Sequence, residues 1–148
     1  MIWNHFGGNQ GRDLQRIVGL FVKNLYRLES IEFLFDDMSG ASSSKLGRCH
    51  DYEGAHIHSF FGIDGAGGEL ITSVAVAVEK SKNLLGEDVE PHRITTNRSR
   101  KFSSHHEACY HSDMQALPIT PGTTITGFYA NQDEWYGLTN LGVISELL

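Results

Sequence analysis

An all-β domain built from internal repeats is what this sequence predicts, and three observations predict it. The chain has 16 Gly and only 3 Pro in 148 residues, with no sustained 3.6-residue apolar pattern, the signature of short strands joined by glycine turns. Apolar residues recur instead in short runs such as Ile125 to Tyr129 and Leu138 to Ile144. Third, the chain resembles itself. Ile17, Gly19, Phe21, Leu28 and Ile31 match Ile125, Gly127, Tyr129, Leu138 and Leu141 in order. A weaker copy, residues 71–76, matches the apolar pattern of 28–33, and three related hairpins imply a repeated architecture.

Taken in order, residues 5–12 read as a Gly-rich loop, since Gly supplies the positive φ that turns need. Residues 16–22 and 28–35 form a first hairpin. Its second strand directs Glu29, Ile31, Phe33 and Phe35 to one face, the better core candidate, and Leu28, Ser30, Glu32 and Leu34 to the other. Residues 36–44, with a Ser run, form a turn. Residues 46–51 and 55–63 are two further strands, 64–68 is a Gly turn, and 69–78 is the next strand. Residues 80–90 are polar enough for an exposed loop. A β-branched strand follows at 92–97, then an irregular His-rich stretch at 98–113, and residues 115–119 lead to the Pro121-Gly122 turn and the last hairpin. The count is about eleven strands, the spacing of a sandwich, barrel or prism.

The length suits one domain, 1–148, with a core that needs neither disulfides nor metal. A net charge of -6 with scattered basic residues disfavours a nucleic-acid backbone or an anionic membrane as partner. No run approaches the ~20 apolar residues of a spanning helix, and Met1 to Gly8 lacks a signal-peptide pattern. The expectation is a soluble protein, cytoplasmic or exported without a leader. Cys49 and Cys109 read as free thiols, with one bridge between them open as the alternative.

Catalytic signatures are missing: there is no G-x-S-x-G, no P-loop and no G-x-G-x-x-G, and the 65–69 Gly run precedes a strand rather than a helix. His56 and His58 share a strand face, and His105, His106, Cys109 and His111 crowd one stretch, but without established zinc spacing. The expectation is no metal, no cofactor and no enzymatic activity. The last hairpin tip is more informative. Asn131, Gln132, Asp133 and Glu134 offer planar donors and acceptors, and Trp135 and Tyr136 offer flat apolar faces. A sugar presents vicinal hydroxyls together with a C–H face that suits both. Packing of the two aromatics back onto the sheet is the competing reading.

Five segments, in order, resemble the landmarks of jacalin-related lectins: Phe6-Gly-Gly-Asn-Gln-Gly, Ile71-Thr-Ser-Val, Ile94-Thr-Thr-Asn-Arg-Ser-Arg, Ile125-Thr-Gly-Phe-Tyr and Leu138-Thr-Asn-Leu-Gly-Val. The resemblance runs through nearly the whole chain. It implies a β-prism of three Greek-key, four-stranded sheets with pseudo-threefold symmetry, binding mono- or oligosaccharides without metal. It also implies a sugar site built from the N-terminal Gly loop, the last hairpin tip and an Asp after the final Leu.

Transferred to this chain, that site would comprise Gly11 and the tip residues Asn131, Gln132, Asp133, Glu134, Trp135 and Tyr136. The family Asp falls on Thr139, which has no carboxylate. This tip is also longer than its counterpart: Ile125 to Leu138 spans thirteen positions, Ile17 to Leu28 eleven. Asp133 and Glu134 are the replacement carboxylates it offers. The matching place in the first hairpin gives a second site of Asn24, Tyr26 and Glu29, with Glu29 otherwise an ordinary surface partner for Lys23 or Arg27. Thr72 holds the third equivalent position. The function expected is glycan recognition by loops at the prism's end, with a homodimer supplying avidity. The alternative is a jacalin-like module that has lost its sugar and serves as an interaction or structural domain.

Overall fold

The computed structural model describes residues 1–24, 28–36, 42–47, 57–80, 87–103, 115–133 and 137–148. Among these residues eleven strands follow one another: β1 (Ile2–Asn4), β2 (Ile17–Asn24), β3 (Leu28–Phe35), β4 (Ser42–Gly47), β5 (Ile57–Gly62), β6 (Ile71–Lys80), β7 (Glu87–Thr96), β8 (Lys101–Ser103), β9 (Gln115–Ala116), β10 (Thr124–Asp133) and β11 (Gly137–Glu146). Among the described residues the one helical stretch is a 3-10 segment, Asn9–Arg16, broken at Gln10 and Gly11.

Every pairing is antiparallel. One sheet has the order β4-β3-β2-β5. The others, β8-β7-β6-β9 and β1-β10-β11, are joined among the described residues by the single bridge from Thr139 to Asp88, so they act as two further faces. The result is three sheets, of four, four and three strands among the described residues, around a shared interior.

The repetition goes deeper than sequence. Each central hairpin carries a bulge near its open end, between Ile17 and Gly19, Ile71 and Ser73, and Ile125 and Gly127. Each carries a second towards its tip, at Lys23/Asn24, Val76/Val78 and Tyr129/Asn131. A bulge bends a strand and raises its twist, which curves each sheet around the core.

This register corrects the sequence alignment of the third copy. Residues 71–76 begin the entry strand β6, equivalent to β2 and β10, rather than an exit strand. The period of two is common to both strands of a hairpin and cannot tell them apart, whereas the bulge can. Thr72 accordingly matches Val18 and Thr126, not Glu29 and Thr139. Three loop boundaries also move. Strands β6 and β7 extend into 80–90, β4 starts at Ser42, and β8 lies within the expected irregular stretch. Cys49 and Cys109 lie outside the described residues.

Ile31, Phe33 and Phe35 do face the core, at 1%, 1% and 7% exposure, while Glu32 and Leu34 are half-buried. The centre is aromatic: Phe6 stacks on Phe33 with ring centroids 3.9 Å apart, and Phe128 lies 5.8 Å from Phe6. These rings join the β1-β10-β11 sheet, the first face, to the β4-β3-β2-β5 sheet, the second. Ile71, Val74, Val76, Ile94 and Phe102 bring in the third, with Phe102 stacked on Phe61 at 5.0 Å.

Candidate functional site

Two hairpin exits meet at one end of the molecule. Gly137, at φ 86°, opens β11 so close to β3 that a Cβ there would stand 2.5 Å from the Leu28 carbonyl oxygen. Gly47, at φ 85°, closes β4 against the Glu29 carbonyl, where a Cβ would come within 2.3 Å. Only glycine satisfies both the left-handed φ and this backbone approach. The stretches that follow β2 and β10 therefore spring from one corner, which holds the roots of both candidate sugar sites.

Of the main site, Asn131 and Gln132 are half-buried on β10. The Nε2 of Gln132 is buried with no hydrogen-bond partner among the described residues. Asp133 closes the ladder opposite Gly137. Glu134, Trp135 and Tyr136 lie outside the described residues. Thr139 is only 2% exposed; its hydroxyl reaches the Asn131 carbonyl oxygen at 3.5 Å, at the weak end for a hydrogen bond, and its backbone bridges to β7. A residue so enclosed joins faces of the prism rather than presenting an acceptor to solvent.

Gly11 is not brought to this corner. Strand β1 runs antiparallel to β10, from Ile2 beside Ala130 to Asn4 beside Phe128, so the chain enters travelling away from the tip. The Gly7 N–H then donates to the Thr126 carbonyl at 2.8 Å, and a Cβ on Gly11 would strike Leu148 at 2.7 Å. Seven residues separate Thr126 from Asp133, a span of roughly 20 Å in a strand. The repeat explains the difference. Ile63 and Gly65 donate to Val18 and Ile17 just as Gly7 donates to Thr126, so the N-terminal Gly loop is the counterpart of the 64–68 turn at the opposite end.

In the second candidate site Asn24 pairs through its backbone with Leu28 and Ile57, and Tyr26 lies outside the described residues. Glu29 is 4% exposed, so it is buried rather than placed on the surface as expected. A pattern of alternating residues could not foresee this, because both faces of β3 become covered where Gly47 and Gly137 press in. His56, His105, His106, Cys109, His111 and the side chain of His58 lie outside the described residues. Among those described, no three His, Cys, Asp or Glu side chains cluster to hold a metal ion.

One cluster escaped the sequence reading. Beyond the base of β10, His5 Nε2 touches Glu146 Oε1 and lies 3.2 Å from Thr126 Oγ1, while the Thr126 hydroxyl donates to Glu146 Oε1 at 2.8 Å. The Thr126 hydroxyl holds the Glu146 carboxyl below its usual range, against a push upward from burial, and His5 adds to the lowering. A nucleophile–histidine–acid relay needs hydroxyl and carboxylate on opposite ring nitrogens. Here both meet Nε2, so the cluster is not such a relay. The three residues are 121 and 20 positions apart, beyond the reach of any local motif.

No family model matches the chain, and a comparison with curated proteins found no match. Solved structures do match. The mannose-binding lectin from champedak superposes at TM-score 0.64 and 16% identity, over 98% of this chain and 88% of that one. A prostate-specific WGA16 glycoprotein lectin gives 0.63 and 18%, covering 99% and 89%. Artocarpin in complex with methyl α-mannose gives 0.62 and 18%, covering 98% and 89%. The chain has the β-prism fold of the jacalin-related lectins. No helix among the described residues is long and apolar enough to cross a membrane.

Proposed function

We propose that this protein is a carbohydrate-binding lectin that recognises glycans, without metal or catalysis, through the loops at the corner where the β2–β3 and β10–β11 hairpins meet. The observation that carries the proposal is the sharing of one fold, across nearly the whole chain, with proteins described as lectins, artocarpin among them with methyl α-mannose bound. The recognition surface is assigned to Asn131, Gln132, Asp133, Glu134, Trp135 and Tyr136, with Asn24, Tyr26 and Glu29 beside it. Gly11 takes no part, and Thr139 acts as a strut beneath the surface. Gln132 is the best placed of the described groups, because a buried amide donor without a partner among the described residues costs free energy that a ligand oxygen recovers.

A glycan array probed with and without a chelator tests this reading. Binding that persists in chelator is expected, and a folded sample that binds no glycan would reject it. Trp135→Ala and Asp133→Ala should each abolish binding while leaving the thermal midpoint within a few degrees of the parent. Loss of stability instead would identify those side chains as packing. Gln132→Leu separates binding from folding more sharply. It should weaken glycan binding at least about tenfold, yet leave stability unchanged or raised by up to about 1 kcal/mol, since it removes a buried donor with no described partner.

The interaction-module reading rests on the enclosure of Thr139, which withdraws a residue from the surface at the position where the family carries its Asp. An array without hits, together with capture of a defined partner by the same corner, would establish it.

A further inference from the structure

The threefold repeat separates what the fold requires from what one face alone carries. On the outer side of each sheet the same three strands meet at the same register. Trp3 pairs with Tyr129 on the first face, Phe60 with Phe21 on the second and Ala116 with Ala75 on the third. Since the third face folds with two alanines, the large rings are not needed to build the sheet. Trp3 is 75% exposed, and Phe60 53%.

The neighbouring positions diverge further. His5 corresponds to Gly62 and Pro118, Thr126 to Val18 and Thr72, Ile144 to Leu34 and Thr95, and Glu146 to Asp36 and Asn97. Only the first face sets a carboxylate bonded to both a hydroxyl and an imidazole beside an exposed indole. Trp3, His5 and Ile144 line a shallow cleft there of about 330 Å³. Beside it the Tyr129 ring lies across Gly142, and Ile144 lies over Gly127. Glu146, which touches the lining residue His5, is held in place from below. Thr126 is fully buried, and its hydroxyl fixes Glu146 at 2.8 Å.

We propose that this cleft is a second carbohydrate site, on the side of the prism, in which a pyranose ring lies against Trp3 and its hydroxyls are received by Glu146 and His5. An exposed aromatic plate beside a fixed carboxylate and an imidazole is what a ring with one C–H face and vicinal hydroxyls requires. The inference rests on the lectin reading for its class of ligand, but on separate residues at the opposite end of β10. Two sites on one chain would supply avidity without a dimer.

The chain has two tryptophans, Trp3 and Trp135, so its two indole N–H signals in a proton–nitrogen correlation spectrum report the two sites separately. Trp3→Phe and Trp135→Phe assign them. The protein is titrated with the methyl α- and β-pyranosides of mannose, glucose and galactose to about 100 mM, well above the millimolar constant of a shallow site. The expected result is a saturable shift of the Trp3 signal with at least one glycoside, with an affinity about tenfold weaker in Glu146→Gln, which loses the charge-assisted bond to the sugar. No saturable shift at Trp3 overturns the proposal, whatever Trp135 does. A shift that Glu146→Gln leaves unchanged also overturns it, because the indole would then be a bare apolar plate. Movement of Trp135 alone upholds the tip reading and rejects the cleft; movement of Trp3 alone does the reverse.

Discussion

Glu69→Ala is expected to lower stability by about 3 kcal/mol, among the largest losses available to a single side chain here. The Glu69 side chain is fully buried just before β6, yet it receives the Asp64 N–H at 2.9 Å, the Thr96 hydroxyl at 2.8 Å and the Arg100 guanidinium at 2.8 Å. It thereby ties the 64–68 turn to the end of β7 and to the segment before β8. Around it Arg98 bonds Asp64 at 2.9 Å and the Gly67 carbonyl at 2.8 Å, closing this end of the prism. Alanine would leave a partly buried N–H and a buried hydroxyl without their acceptor. Arg100 is partly exposed and returns to water, which keeps the loss from growing further.

The same residue sets a pH dependence. Burial pushes the Glu69 carboxyl up, but the Asp64 N–H, the Thr96 hydroxyl and the charges of Arg100 and Arg98 outweigh it and hold the group below its ordinary 4.5. A carboxyl whose pKa is lower folded than unfolded stabilises the protein above the unfolded value. That contribution is lost as pH falls through the folded value. Denaturant unfolding of the parent and of Glu69→Gln should therefore differ most near neutral pH and converge as pH falls through the folded value, which lies below 4.5. A gap that stays constant through acid would assign the effect to shape rather than charge.

Gly137→Ala should cost about 2 to 4 kcal/mol and disturb glycan binding as well. Gly137 combines φ 86° with a Cβ position 2.5 Å from the Leu28 carbonyl, so alanine meets a backbone penalty and a collision with backbone that cannot swing aside. Relief requires β11 to withdraw from β3, which moves the root of the tip. Gly122 is the control. Its φ is 81° but no atom lies within 4 Å of its Cβ position, so Gly122→Ala should cost only the left-handed penalty, about 1 to 2 kcal/mol, and leave binding intact. Thermal unfolding and the glycan titration read both. Equal losses for the two variants would refute the close approach at Gly137.

Strand content, the apolar-Gly-aromatic entry of the first and last hairpins and the core face of Ile31, Phe33 and Phe35 were legible in the sequence. A period of two and the turn preference of glycine are local properties that survive without knowledge of the fold. The last hairpin stands out in the sequence because its six polar and aromatic residues are contiguous, and a site there is the proposal made above. Three matters were decided only by tertiary structure. The direction of β1 carried Gly11 away from the tip, and a loop's composition does not reveal which end of a hairpin it meets. Burial of Glu29 and Thr139 accompanies contact between separate sheets at Gly137 and at the bridge to β7, where strand alternation no longer governs exposure. The Trp3, His5, Thr126 and Glu146 cluster, finally, joins the two ends of the chain. Its members share no local pattern, and closing the first sheet through β1, β10 and β11 is what makes them neighbours.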